Sequence, residues 1–329
     1  MSRERFIELE GVQVRVGGKV ILDDVSFYAE EGEILAVIGG SGAGKTTCLR
    51  VMTGQIRPVK GVVRVAGIDV VRNREELEPL IGYVPQLDET GLYYEFSSIE
   101  NACLFARMYG IPRKEAKRRA KEILAILGLR DEELMKKPVG RLSGGERKRV
   151  SICVSLIHEP RVLLLDEPTT GLDAHLRVDV LNYLRDINKQ YGVTVGIVSH
   201  DLETAEFCDR VAVLDRGRVS VFGEPRSLAS KVRAGHAFTV SFSKLNESDV
   251  SKIKNVKIVT GVLQVGRKTL KIFVRRVEEP LNVLLNELER AGLTPVSVTS
   301  SSITFTDYFR IAATEKEGES YFPQNTKPV

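Results

Sequence analysis

Gly39-Gly40-Ser41-Gly42-Ala43-Gly44-Lys45-Thr46-Thr47 decides how the rest of the chain is read. The stretch fits G-x-x-x-x-G-K-[ST], in which glycines let successive backbone N–H groups curl around phosphate oxygens. In that pattern Lys45 reaches the β and γ phosphates and the Thr46 hydroxyl ligates Mg²⁺. The flanks suit this role. Ile34-Leu35-Ala36-Val37-Ile38 before it is an unbroken apolar run that reads as a buried parallel strand. Lys45 to Thr53 after it reads as a helix stopped by Gly54, so the loop lies at a helix N-terminus, where the dipole favours anions.

Toward the N-terminus, apolar and polar residues alternate from Phe6 to Val16 and again from Val20 to Tyr28 around Gly17-Gly18, the pattern of a β-hairpin. Val62 to Val65 adds a strand to this antiparallel portion. Ile81 to Val84 is a further strand, ending at Pro85-Gln86 and leaving Gln86 at the mouth of a loop through Asp88, Glu89 and Thr90. The capping box Ser97-Ser98-Ile99-Glu100 opens a helix that ends near Gly110, and Arg113 to Leu127 makes a second, closed by Gly128. This helical insertion carries Arg113, Lys114, Lys117, Arg118, Arg119 and Lys121, either a solvated helix face or a patch attracted to anionic lipid head groups or to a partner's acidic loop.

Arg141-Leu142-Ser143-Gly144-Gly145-Glu146-Arg147-Lys148-Arg149 follows and leads into an apolar helix, Val150 to Ile157. Ser143, Gly144 and Gly145 repeat the logic of the first loop: small residues, exposed N–H groups and a helix dipole behind them. One chain already has a phosphate cradle, so a second anion site is best explained by the nucleotide of a second subunit. Val162 to Leu165 is a buried strand that presents Asp166 and Glu167. Asp166 supplies a carboxylate for Mg²⁺ beside Thr46, and Glu167 sits where a base polarises an attacking water. Adjacent carboxylates at a strand end are expected to face opposite ways, one toward metal and one toward water. Asp173 lies in the turn before a helix from Ala174 to Tyr191, and His200 lies at the tip of the strand Val193 to Val198. Arg210 to Leu214 and Val219 to Phe222 make a closing hairpin, and the alternation of strands and helices implies a parallel sheet with helices on its faces.

At 329 residues, with 43% hydrophobic and 28% charged, the chain has the make-up of a globular protein with room for one large and one small domain. A net charge of +4 and a pI of 8.8 fall short of a dedicated nucleic-acid binder, so no nucleic-acid partner is expected. No apolar run is long enough to span a bilayer and the N-terminus lacks a signal peptide's apolar core, so the chain should stay in the cytoplasm unless a partner holds it at a membrane. Cys48, Cys103, Cys153 and Cys208 form no C-x-x-C pair and read as reduced, mostly buried thiols. After Pro225 the pattern loosens toward Gly235. Strands at Phe238–Phe242, Thr269–Val274 and Val296–Val298 and a helix at Leu281–Ala291 then make a small α+β domain.

Taken together, Gly39 to Thr47, Gln86, Leu142 to Glu146, Val162 to Glu167, Asp173 and His200 resemble the nucleotide-binding subunit of an ABC transporter, over about Arg5 to Pro225. The remainder resembles, more loosely, the accessory domain of ABC-2 type exporter ATPases of the drug-resistance and antibiotic-export group. The resemblance implies an α/β P-loop NTPase of ABC type with an antiparallel β subdomain and a helical insertion, plus a small C-terminal α+β domain. The chain is expected to divide into an ATPase domain at 1–228 with the insertion at about 88–145, a linker at 229–236, an accessory domain at 237–312 and, from its unperiodic mix of charge, Pro, Gln and Asn, a disordered tail at 313–329. Its cofactors are ATP and Mg²⁺. Lys45 and the loop amides would bind ATP. Thr46, Gln86 and Asp166 would hold Mg²⁺, directly or through water. Glu167 would activate water, and His200 would contact the γ-phosphate. Ser143 and Gly145 would close on that phosphate across a head-to-tail homodimer or heterodimer, with Asp173 linking the two sites. Val16 departs from the family, whose members usually stack adenine on an aromatic residue there; a Val can pack on the base, but the stacking contribution should be reduced.

The partners implied are separate transmembrane permease subunits, with the chain at the cytoplasmic face of the cell membrane. Their contact is expected at the insertion and the Gln86 loop, where Tyr93, Tyr94 and Phe96 are apolar for a loop. Export is the leading reading. The alternatives are an importer ATPase or a soluble ABC-type ATPase uncoupled from transport, against which stand the single cassette and the lack of a heptad array.

Overall fold

The computed structural model describes residues 4–86 and 91–316. β1 (Arg5–Val16) and β2 (Lys19–Glu30) pair antiparallel, with Ile7, Leu9, Leu22 and Phe27 turned into the core as alternation requires. β3 (Ile34–Gly39) is buried along its whole length and feeds α1 (Lys45–Met52). β4 (Lys60–Val65) and β5 (Ile68–Asp69) complete a four-stranded antiparallel sheet in the order β2-β1-β4-β5. The short α2 (Arg74–Leu77) then leads to β6 (Ile81–Val84).

α3 (Ser98–Met108), α4 (Arg113–Ile126) and α5 (Glu132–Lys136) form the insertion. α3 starts on a complete capping box between Ser97 and Glu100. α6 (Gly144–Leu156) starts on another, between Ser143 and Glu146, six residues earlier than the apolar run alone suggests. β7 (Val162–Asp166), α7 (Ala174–Tyr191), β8 (Thr194–Ser199), β9 (Arg210–Asp215) and β10 (Arg218–Gly223) follow. The second sheet runs β10-β9-β3-β8-β7-β6, parallel from β9 to β6, with β10 antiparallel at one edge. A single apolar cluster that includes Leu9, Phe27, Leu49, Met52 and Leu164 ties α1 and the two sheets together. It fixes the loop between β3 and α1 against both.

The chain divides at Glu224 into two compact units. The second opens on α8 (Pro225–Ala229), then β11 (His236–Phe242), α9 (Glu247–Lys254), β12 (Val259–Gly266), β13 (Thr269–Val274), α10 (Pro280–Arg290), β14 (Pro295–Ser301) and α11 (Phe305–Lys316). Its antiparallel sheet is ordered β12-β13-β11-β14. Three expectations change here. The stretch after Pro225 begins as a helix, and Ala229 and Val232, expected in a linker, are buried, Val232 in a cluster with Phe273 and Leu263. α9 and β12 add to the elements expected there. The last helix runs through residues 313–316 of the expected tail; 317–329 lie outside the described residues. All four cysteines are free thiols, with Cys48, Cys153 and Cys208 buried and Cys103 half-buried.

Candidate functional site

The phosphate loop is shaped by what its glycines border. A β-carbon on Gly39 would lie 2.6 Å from the Leu214 carbonyl oxygen, and one on Gly44 2.6 Å from Leu22 Cδ2, so neither position has room for one. Gly42 and Gly44 also have φ of +75° and +105°, the left-handed region that favours glycine. Gly40 borders open space, Ser41 is exposed, and Ala43 N–H donates to Gly40 O at 3.2 Å. Lys45 is buried and donates from Nζ to Gly40 O at 3.1 Å; Thr46 and Thr47 are half-buried.

Two carboxylates meet this loop. Asp166 Oδ1 accepts from Thr46 Oγ1 at 3.5 Å, the outer limit of a hydrogen bond. Burial pushes the Asp166 carboxyl above its usual range, offset in part by Thr46 and Lys45. Glu167 Oε1 is 3.6 Å from Lys45 Nζ. Glu167 Oε2 lies 2.7 Å from His200 Nδ1 and accepts from Thr170 Oγ1 at 2.9 Å. The expectation of opposed carboxylates therefore fails. Glu167 still donates its N–H to Val198 O at 2.9 Å, but its φ is +50°, and both acids come to the loop with Glu167 buried. A left-handed, bulky residue costs roughly 1–2 kcal/mol, so the surrounding structure must hold it there.

Other expected site residues stand apart. Gln86 is exposed, its carbonyl accepts from Lys148 Nζ at 3.3 Å, and no hydrogen bond among the described residues joins its side chain to Thr46 or Asp166. Val16 is exposed opposite Lys19 at the tip of the hairpin whose Leu22 abuts Gly44. Ser143 and Gly144 are exposed and Gly145 is buried, where a β-carbon would touch Leu176 and Leu172 at 3.5 and 3.6 Å. Asp173 caps α7, accepting from Leu176 N–H at 2.9 Å. These two turns thus pack on each other, and no hydrogen bond among the described residues links Ser143 to the phosphate loop. Two contributors carry no motif in the sequence: Thr170, and Lys148, whose buried Nζ also donates to Pro85 O at 3.2 Å.

Among the described residues no group of three or more His, Cys, Asp or Glu is placed to hold a metal. Thr46 and Asp166 offer two hard oxygens on one side only. That donor set suits Mg²⁺, which keeps waters and phosphate oxygens for its remaining positions.

A family profile described as ABC transporter matches residues 22–170. The linearmycin resistance ATP-binding protein LnrL of Bacillus subtilis is 32% identical over 258 residues, 78% of this chain and 81% of LnrL. The spermidine/putrescine import ATP-binding protein PotA of Bacillus thuringiensis is 31% identical over 283 residues, 84% of this chain and 80% of PotA. The cbiO1 structure from Clostridium perfringens, part of the ABC transporter complex cbiONQ, has a TM-score of 0.64 at 30% identity, covering 70% of this chain and 92% of cbiO1. An ATP-binding cassette solved as a dimer in a post-hydrolysis state, bound to ADP and Pi, has a TM-score of 0.59 at 29% identity, covering 67% of this chain and 98% of that one.

Proposed function

The chain belongs to the ABC transporter family as an ATP-binding subunit, and from that we propose that its ATP hydrolysis, in a head-to-tail dimer, drives export through separate membrane-spanning subunits. The observation that carries the hydrolytic assignment is Glu167, whose two carboxylate oxygens face Lys45 and His200. Lys45 and the amides of 39–47 hold the phosphates. Water attacks the γ-phosphorus as the bond to the β–γ bridging oxygen breaks, and Glu167 accepts the water proton while His200 and Thr170 hold its carboxylate. Thr46 and Asp166 would hold Mg²⁺, which when bound neutralises charge on the phosphates. The exposed Ser143 turn supports a role toward a second subunit's nucleotide, and the dimeric relative supports the same assembly.

The membrane partner fits a cavity of about 520 Å³ lined by Tyr83, Pro85, Phe105, Tyr109, Val154 and His158. Beside it, Tyr93 and Phe96 stack at 5.6 Å and are exposed, an apolar footing for a partner's short helix. No described helix is long and apolar enough to cross a membrane. A site at the cytoplasmic face of the membrane therefore rests on that partner. Export rests on the resemblance of the second unit and on the resistance function of LnrL; import is a second reading, favoured by the match to PotA over a larger share of this chain.

Glu167→Gln tests the assignment. Phosphate release should fall at least about a hundredfold, while ATP-dependent dimers accumulate by light scattering. Undiminished turnover removes Glu167 from the reaction.

A further inference from the structure

α3, α4 and α5 wall a cavity of about 1230 Å³ on the insertion, distinct from the aromatic groove. Its floor is apolar, with Ile99, Leu104 and Ile111 beside Cys103. Its rim is basic, with Arg107, Arg113, Lys114 and Lys117 all exposed.

These four differ from the other cations on the three helices, Lys121 on the same rim included. Arg118 is paired with Glu115 and Glu122 at 2.6 and 2.7 Å, Arg119 with Glu115 and Glu159 at 2.8 and 3.2 Å, and Lys121 with Glu132 at 2.5 Å. The four rim cations form no ion pair among the described residues. Of the acids on the same rim, Glu100 is engaged by the backbone and hydroxyl of Ser97, and Glu132 by Lys121 and Lys136, which line the cavity too. Arg113 and Lys114 sit in the first turn of α4, where positive charge opposes the helix dipole, so their presence does not serve the helix. Unpaired cations above an apolar floor match a molecule that carries phosphate and hydrocarbon together.

We propose that this groove binds the head group and upper acyl chain of an anionic phospholipid. A peptide matches it less well, because the walls are helix faces with paired backbones and offer no strand edge to an extended chain. The inference is independent of the ATPase reading, since none of the rim residues contacts Lys45, Asp166 or Glu167. Its test uses no nucleotide.

The full chain is mixed with vesicles of phosphatidylcholine alone or with phosphatidylglycerol, and binding is read by sedimentation. Occupancy of the groove is read by maleimide labelling of Cys103, the half-buried thiol among three buried ones. Phosphatidylglycerol vesicles should bind the chain and slow labelling severalfold, and phosphatidylcholine should do neither. Lys114→Gln with Lys117→Gln should weaken binding about 25-fold, about fivefold for each basic residue near an anionic surface. Lys114→Arg with Lys117→Arg should retain it, which separates charge from folding. Equal binding to phosphatidylcholine, or binding indifferent to the glutamine pair, overturns the proposal. So does protection of Cys103 by soluble glycerol phosphate or hexaglutamate where vesicles give none.

Discussion

Glu167 Oε2 and His200 Nδ1 lie 2.7 Å apart, just beyond the ends of the neighbouring parallel strands β7 and β8. The side chain of Glu167 is buried while that of His200 is 58% exposed, so the acid is anchored and the ring faces outward. Loss of the ring leaves Glu167 with Thr170 and Lys45 as partners. His200→Ala should therefore lower kcat about a hundredfold, within the usual range for proton-transfer groups, with the KM for ATP changed less than about threefold. Steady-state phosphate release measures both, and turnover within twofold of the parent would count against the pairing.

The two ends of the phosphate loop should respond differently to one methyl group. Gly44→Ala places a β-carbon against Leu22 in a left-handed backbone. It should cost at least about 1–2 kcal/mol, a drop of roughly 2–8 °C in the unfolding midpoint, and weaken ATP binding. Gly40→Ala meets open space and should leave the midpoint unchanged. Calorimetric melting of both variants checks the contrast, which fails if they melt together.

His158 links acid stability to the aromatic groove. Its ring stacks on Tyr109 at 4.0 Å and its Nε2 is 3.0 Å from Ile81 O, while Nδ1 is buried with no hydrogen-bond partner among the described residues. A proton on Nδ1 has nowhere to donate, and burial holds the imidazole below its ordinary value of 6.5. Above about pH 6.5 the ring is neutral folded or unfolded and the full stability is present. As pH falls below that, the unfolded chain takes the proton first and stability is lost. Urea midpoints at pH 7.5 and 5.5 should diverge in the parent and converge in His158→Phe; an equal loss in both clears His158.

Motifs set by neighbours in sequence were legible, because a glycine at a left-handed turn or an apolar run into a sheet centre leaves a local mark. Gly39 to Thr47, Ser143 to Glu146 and Val162 to Asp166 are of this kind. The site's tertiary geometry was not. Nothing in the sequence marks Glu167 as left-handed, and the period-2 rule that assigned it outward ceases to apply once the chain leaves β7. Lys148 was hidden in a charged run, although its ammonium reaches carbonyls 62 and 63 residues away in sequence. In the second unit, β12 escaped because shifts in its pairing at Val259–Gly261 and Gln264–Gly266 break the alternation. α9 does carry a local signal, the Asn246–Asp249 capping box.

The capping box at Ser143 has a chemical consequence. Its oxygen accepts from Glu146 N–H at 3.3 Å, so part of its lone-pair capacity is committed within the chain. The hydroxyl hydrogen is left to be given away, and whatever visits that turn is chosen for electron-rich oxygen. A neighbour bearing only hydrogen to offer would have one lone pair there to share with the cap.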